Sequence, residues 1–379
     1  MSGGSPARFV GASSGTSVDG LDLAILDVSS DSLTISAGAT VPFDPSLHRQ
    51  LLALGAAELD DVDGLGAIDV LLGRFIGASI NAFLAQHRVD GASIRAIGSH
   101  GQTVRHRSRS STPFTMQIGD PNVVAELTGI TTVADFRRRD IAAGGEGAPL
   151  VPLFHQALFG AERSEAITVL NIGGMANITT LPRGSTTPLS GFDTGPGNTL
   201  LDAWIRTERR LSFDRDGGWA SQGRVSQDLL EAFMRDAYFA EPPPKSTGRE
   251  TFNLEWLQHH VGGIDQRPSP VDVQATLCEL TATSIATALS RWGHPSGLLI
   301  VAGGGRLNRH LMSRIEHQLP NHRVTTSDQQ GVNGDWLEAA AFAWLAHRAL
   351  EGLVGNAPNV TGAKAARVLG GIYPGNPRD

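Results

Sequence analysis

The 379-residue chain has 40% hydrophobic and 18% charged residues, enough apolar material for sizeable cores and no composition for wholesale disorder. At roughly 100–200 residues per domain, the length suggests two lobes or one large domain. A formal net charge of −7 argues against a nucleic-acid partner, whose protein face is normally basic, although a local arginine cluster would still suit an anionic substrate.

The chain opens with FVGASSGTSVDGLDLAILDV, two apolar runs around a tip of glycine, hydroxyl and carboxylate. Nothing near this end joins basic residues to an apolar run, and no later run reaches the ~20 apolar residues of a membrane span. A soluble, cytoplasmic protein with no membrane contact is therefore expected. At the hairpin tip, Gly15 and Gly20 would let backbone amides approach an anion, with Thr16 and Ser17 adding hydroxyls. Asp19 stands where it could hold a hydrated magnesium ion against phosphate oxygens. The same residues also suit an ordinary polar turn.

A third extended segment, SLTISAGATVPF, follows. Ile68, Leu71, Leu72, Phe75, Ile80, Phe83 and Leu84 then recur at helical spacing and predict an amphipathic helix. SIRAIGSHGQT reads as a buried strand that carries His100 to its end. There a neutral imidazole could bond a sugar or phosphate, or serve the structure alone. ITTVADF is another strand, and it leads into RRRDIAAGGEGAPLVP, which reads as a glycine-rich, charged loop. Asp135, Arg137, Arg138, Arg139, Asp140 and Glu146 cluster here, and an arginine fork suits a carboxylate or phosphate. Solvated charge is the commoner explanation of such a run, and at least one of the three arginines is expected to be no more than that.

From Ala166 the plan restarts. AITVLNIGGMANITTL is again strand, turn and strand, with Asn171, Gly173, Gly174 and Asn177 at the break. The echo predicts two lobes on one plan, 1–163 and 164–379, with the last helix free to cross back to the first. GFDTGPGN places Asp193 at a strand's carboxyl end, where open α/β sheets bind ligands. A general base there is worth ~10²–10⁴ in rate, but a helix cap would use the same residue type. AEPPPKSTGRE is a loop, and His259 and His260 lack metal spacing and read as surface. Cys278, the one cysteine, rules out an internal disulfide and sits in an apolar helical run as a small core residue. SGLLIVAGGGRLNRHLMSRIEHQL is strand, glycine loop and helix, where Gly303, Gly304 and Gly305 would let a flat or extended ligand lie near a helix end. WLEAAAFAWLAHRAL is an apolar helix. P-loop, dinucleotide-fold, zinc and EF-hand signatures are missing, so any phosphate would bind at hairpin tips.

Taken together, these residues closely resemble the anhydro-N-acetylmuramic acid kinases, a family within the sugar kinase, actin and heat-shock chaperone ATPase superfamily. The matching segments are SGTSVDGLD, IGSHGQTVRH, QIGDPNVVAELTGI, VADFRRRDIAAGGEGAPLVPLFH, NIGGMANIT, GFDTGPGNTLLDAW, KSTGRE, AGGGRLN and EAAAFAWLA, in family order over nearly the whole chain. The resemblance implies an α/β, two-lobed actin-like ATPase fold of the ribonuclease H-like type, with mixed sheets flanked by helices and the active site in the interlobe cleft. It implies ATP and Mg²⁺, an anhydrosugar substrate, a homodimer, and a cytoplasmic role in peptidoglycan recycling and amino-sugar catabolism. Gly15, Thr16, Ser17, Val18, Asp19, Gly20, Leu21 and Asp22 would form the first phosphate hairpin, with Asp19 meeting the metal through water. Gly173 and Gly174 would form the second, and Gly303 to Gly305 the adenosine-side loop. Asp193 would be the catalytic base. Asp135, Arg137 and Asp140, with His100 and Glu338, would face the sugar, Arg137 taking its lactyl carboxylate. The implied reaction opens 1,6-anhydro-N-acetylmuramic acid with water and phosphorylates O6. A kinase of another anhydrosugar, such as levoglucosan, is the alternative within the fold, and DFRRRD favours the muramic substrate. A non-kinase actin-like ATPase is the other, and it would want an additional substrate-binding domain.

Overall fold

The opening apolar runs pair as an antiparallel hairpin, β1 (Ala7–Ser13) and β2 (Gly20–Val28), in register from Ala7 opposite Val28 to Ser13 opposite Asp22. In this computed structural model residues 6–15, 18, 20–30, 32–55, 61–160, 165–181 and 189–376 are described. The chain continues through β3 (Leu33–Pro42), α1 (Pro45–Gly55), α2 (Val62–Gln86), β4 (Ile94–Arg107), β5 (Phe114–Ile118), α3 (Pro121–Thr128), β6 (Thr132–Ala134), α4 (Phe136–Ala142) and α5 (Pro152–Phe159). Next come β7 (Ile167–Ile172), β8 (Met175–Thr180), β9 (Ser190–Pro196), α6 (Thr199–Arg209), α7 (Gln227–Met234), α8 (Leu254–Gly262), α9 (Pro270–Trp292), β10 (Gly297–Ala302), α10 (Arg309–Gln318) and β11 (His322–Thr326). The last elements are α11 (Leu337–Leu350), α12 (Pro358–Thr361) and β12 (Gly371–Tyr373).

Two units result: Met1–Leu158 with Trp336–Asp379, and Phe159–Asp335. The closing segment thus folds with the first unit, because α11 packs on β1, β2 and β4. Each unit repeats one strand order. In the first, antiparallel β3-β2-β1 continues into β4 and β6, which run parallel to β1; in the second, antiparallel β9-β8-β7 continues into parallel β10 and β11. The repeat read in the sequence is therefore a repeat of topology. β12 and β5 are additions to the first sheet.

The first core gathers Val10, Leu21, Leu23 and Ile25 from the hairpin with Ile68, Leu72, Ile76, Ile80 and Phe83 of α2. α2 is long and apolar enough to span a membrane by length and composition, a length of apolar chain the sequence reading did not expect. Its apolar stripe is spent in this core. The second core packs α9, with Cys278 fully buried in it, against Leu170, Ile172, Phe192, Leu299 and Val301 of the sheet. Burial pushes the Cys278 thiol up to about 12, so it is an inert core group.

The charged stretch after β6 also differs from its sequence expectation. DFRRRD is the start of α4, not a loop. Asp135 precedes the helix in the left-handed region (φ 60, ψ 48), and Phe136 anchors the first turn, 2% exposed and 5.6 Å from the Phe342 ring. A single buried aromatic inside a charge run gave little periodic signal.

Candidate active site

Within the first unit, the polar residues gather at the end of β1, in the middle of β4, which runs on past His100 to Arg107 where the sequence suggested its end, and after β6. Arg137, half-buried on the first turn of α4, donates through Nε to His100 Nε2 (3.0 Å) and through Nη1 to the Gly147 carbonyl (2.8 Å). His100 Nδ1 lies 3.0 Å from the Gly101 carbonyl. A carbonyl only accepts, so Nδ1 carries the proton and the tautomer is fixed from both sides. Burial first, and the Arg137 charge second, hold the His100 pKa well below its usual value. Both ring nitrogens are taken, so His100 orients Arg137 and offers no polar atom to a ligand.

Of the three arginines, Arg138 is exposed and pairs with Asp135 at 2.9 Å, and Arg139 is exposed. Burial raises the Asp135 pKa and Arg138 lowers it. Arg137 is the one that turns inward. Two of its five N–H groups are used. The charges of Glu338 and Asp140 support its guanidinium against the cost of burial. Glu338 lies on the first turn of α11 with its side chain reachable by water, yet burial by surrounding protein raises its pKa; the Arg137 charge and the nearby Ser13 side chain oppose that shift.

Asp140 departs from its expected place among the sugar contacts. It is fully buried; Oδ2 accepts from the Gly147 amide (2.7 Å), and Oδ1 from Asn356 Nδ2 (2.6 Å) and Thr361 Oγ1 (2.7 Å). With no surface left, its carboxylate ties the loop after α4 to the closing segment of the chain.

At the β1–β2 tip, Thr16, Ser17 and Asp19 lie outside the described residues. Val18 has φ 58, costly for a β-branched residue, and its side chain is buried in the core while its amide donates to the Gly15 carbonyl (3.1 Å). Leu21 is fully buried, and Asp22 accepts from the Thr40 hydroxyl (2.6 Å). The buried side chains of Val18 and Leu21 therefore hold the described part of the tip against the core.

In the second unit three glycine motifs meet at one end of the sheet. β7 and β10 are parallel neighbours, Asn171 opposite Ala302, so the tips that follow them lie side by side. The Gly173 carbonyl accepts from Asn198 N (2.9 Å) and Nδ2 (3.1 Å), and the Gly174 carbonyl from the amides of Gly197 (2.9 Å) and Thr199 (3.1 Å). The turn after β9 and the start of α6 are thereby locked onto the second hairpin. Gly303 has φ 77, and a Cβ there would come 2.5 Å from Asn171 Oδ1, so both conformation and space demand glycine. A Cβ on Gly304 would meet nothing within 4 Å, which is the kind of open backbone a phosphate or ring can lie against. Arg306, 6% exposed, anchors the loop through Asp328 and Asp335, each at 2.6 Å.

Asp193, partly exposed on β9 opposite Asn177, is gripped by the 238–247 segment. Its Oδ2 accepts from the Thr247 amide (2.9 Å), its N–H donates to the Lys245 carbonyl (3.2 Å), and the Tyr238 hydroxyl donates to its carbonyl (2.8 Å). Lys245, Tyr238 and Thr247 were assigned no role from sequence. KSTGRE stood in a proline-rich loop, and no local pattern ties that loop to a strand 50 residues earlier. Among the described residues no group of three or more ligating side chains could hold a metal by itself.

A family model described as anhydro-N-acetylmuramic acid kinase matches residues 7–375. The anhydro-N-acetylmuramic acid kinase of Coxiella burnetii (strain Dugway 5J108-111) is 49% identical over 368 residues, spanning 97% of this chain and 98% of its own. That of Saccharophagus degradans is 47% identical over 371 residues, 97% of this chain and 99% of its own. A solved activator of the 2-hydroxyisocaproyl-CoA dehydratase from Clostridium difficile, with bound ADPNP, aligns at TM-score 0.43 and 12% identity over 90% of this chain and 97% of that one. With the family model spanning nearly every residue, and relatives near half identity from end to end, the chain belongs to the anhydro-N-acetylmuramic acid kinase family.

Proposed function

We propose that the protein uses ATP and water to convert 1,6-anhydro-N-acetylmuramic acid into N-acetylmuramic acid 6-phosphate, in peptidoglycan recycling and amino-sugar catabolism. The observation that carries this reading is Asp193, its carboxylate and main chain held by hydrogen bonds with Thr247, Tyr238 and Lys245 on the sheet that bears the glycine loops. In the anhydrosugar O6 is tied to C1, so phosphorylation needs that bond broken. Asp193 takes a proton from water as the water oxygen bonds to C1. The C1–O6 bond breaks, and O6 carries its electron pair to the γ-phosphorus of ATP. The bond from that phosphorus to the bridging oxygen breaks in turn, and ADP leaves.

Gly173, Gly174 and Gly303 to Gly305 line the nucleotide's path, with the start of α6 favouring negative charge. Magnesium would be held mostly by phosphates and water, with a single carboxylate such as Asp19 completing its ligands. It would neutralise phosphate charge when bound. Arg137 has N–H groups left for the lactyl carboxylate, with His100 setting the plane of its guanidinium. Arg137→Met is expected to raise KM for the anhydrosugar by about 10–100-fold, the worth of a lost charge-assisted pair. The KM for ATP should stay within about twofold. Steady-state kinetics with each substrate varied in turn checks this, and an anhydrosugar without the carboxylate, such as levoglucosan, should be indifferent to the change.

Turnover in ¹⁸O-labelled water tests the whole reading. Mass spectrometry should find one label at C1 and a phosphate on O6. Unlabelled sugar phosphate, or ATP hydrolysis with no sugar phosphate, would refute it.

A further inference from the structure

We propose that Lys245 is a positioning residue for this same site, an internal cation caged by Tyr238 and Trp292 that fixes the segment gripping Asp193 and favours the ionised form of that base. The inference rests on the reading of Asp193 as the base. Lys245 is 2% exposed, and its ammonium donates to the Tyr238 carbonyl at 2.9 Å. It also stands over two rings, 4.5 Å from the Tyr238 centroid and 4.8 Å from that of Trp292. Among the described residues no carboxylate lies within ion-pair distance of it; one carbonyl and two π-faces surround it.

Burying an ammonium is costly, and a methionine would fill the same space without that cost. What the charge obtains in return is geometry and field. Tyr238 both holds the ammonium and donates its hydroxyl to the Asp193 carbonyl, while Lys245's own carbonyl accepts the Asp193 amide. Thr247, two residues on, supplies the amide that binds Asp193 Oδ2. Cage, strand and carboxylate are one connected unit. The charges facing Lys245 are Glu241 of its own loop, Arg291 of α9 and Asp193 of β9; burial, more than any of them, brings its pKa down to about 8, so at neutral pH it remains mainly charged.

The test compares wild type, Lys245→Met and Tyr238→Phe across pH 5–9, with Asp193→Asn as the control. Lys245 and Asp193 interact through space, and an opposite charge favours a carboxylate's ionised form, so removing the ammonium should raise the Asp193 pKa. Lys245→Met should lower kcat at least tenfold, leave both KM values within about threefold, and move the acid limb of kcat upward by on the order of one pH unit. Tyr238→Phe should lower kcat several-fold with KM unchanged. A Lys245→Met enzyme with wild-type kcat, or with lower kcat and an unmoved acid limb, overturns the inference. Should Lys245→Met fail to fold by circular dichroism, Tyr238→Phe decides alone, and wild-type kcat there overturns it. Activity surviving in Asp193→Asn instead removes the base assignment, and the inference with it, whatever the lysine variants do.

Discussion

Asp193→Asn is expected to lower kcat by on the order of a thousandfold while ATP still binds with wild-type affinity. The substitution isolates one property. Asparagine keeps the volume and an oxygen for the Thr247 amide, which now meets Oδ2 at 2.9 Å. The bonds from Tyr238 and to Lys245 engage the main chain and are untouched. What is lost is the ability to accept a proton from water. Melting temperature should therefore move little, and calorimetric titration with a non-hydrolysable ATP analogue should show the nucleotide site intact. Near-normal turnover in this variant would mean that another group takes the proton. Alanine would be a poorer probe, since it also leaves the Thr247 amide without its partner.

Much of the candidate site could be nominated from the sequence because its parts are local. Glycine pairs between apolar runs mark hairpin tips without reference to anything distant, and Asp193 stands two residues before a Gly-Pro-Gly run that closes β9. The strand plan was legible for the same reason, as each unit repeats a run of short, contiguous patterns. What could not be read depends on contacts between remote segments. Asp140 looks like any surface acid of a charged run, and only the approach of Asn356 and Thr361, more than 200 residues later, takes it inside. Arg137 differs from Arg138 and Arg139 by its helical phase alone, and the helix itself was masked by its arginines. Lys245 reads as a loop lysine until Tyr238 and Trp292 close over it. The fold of Trp336–Asp379 with the first unit has the same character: an alanine-rich helix suits many surfaces, and which one it meets is decided by two glycines far upstream.

Those two glycines carry the largest expected effect on stability. Gly11 of β1 and Gly98 of β4 face each other across parallel strands, and α11 lies directly on both. A Cβ on Gly11 would collide with the Ala339 carbonyl oxygen and sit 2.6 Å from its carbon and 3.0 Å from the Ala343 nitrogen. One on Gly98 would collide with the Phe342 carbonyl oxygen, 2.5 Å from its carbon and 3.1 Å from the same nitrogen. These obstacles are backbone, so no rotamer change relieves them. The helix must move off the sheet and separate Ala339, Ala340 and Ala343, all fully buried, from their neighbours. Overpacking that side chains can absorb costs ~1–3 kcal/mol, and here at least about 3 kcal/mol is expected for either alanine substitution, a large share of a typical ~5–15 kcal/mol. Urea denaturation followed by fluorescence should register it as a lower midpoint. The double variant should lose less than the sum, because one displacement of α11 accommodates both methyls. Gly304→Ala serves as the contrast: with nothing within 4 Å of its Cβ, stability should change by no more than about 0.5 kcal/mol. If Gly11→Ala proved as mild as Gly304→Ala, the direct seating of α11 on the strands would be wrong. Activity offers a second reading, because Glu338 opens the same helix beside Ala339. Any Gly11→Ala protein that stays folded should carry Glu338 away from Ser13 and Arg137, and its kcat should fall by more than its loss of folded fraction explains.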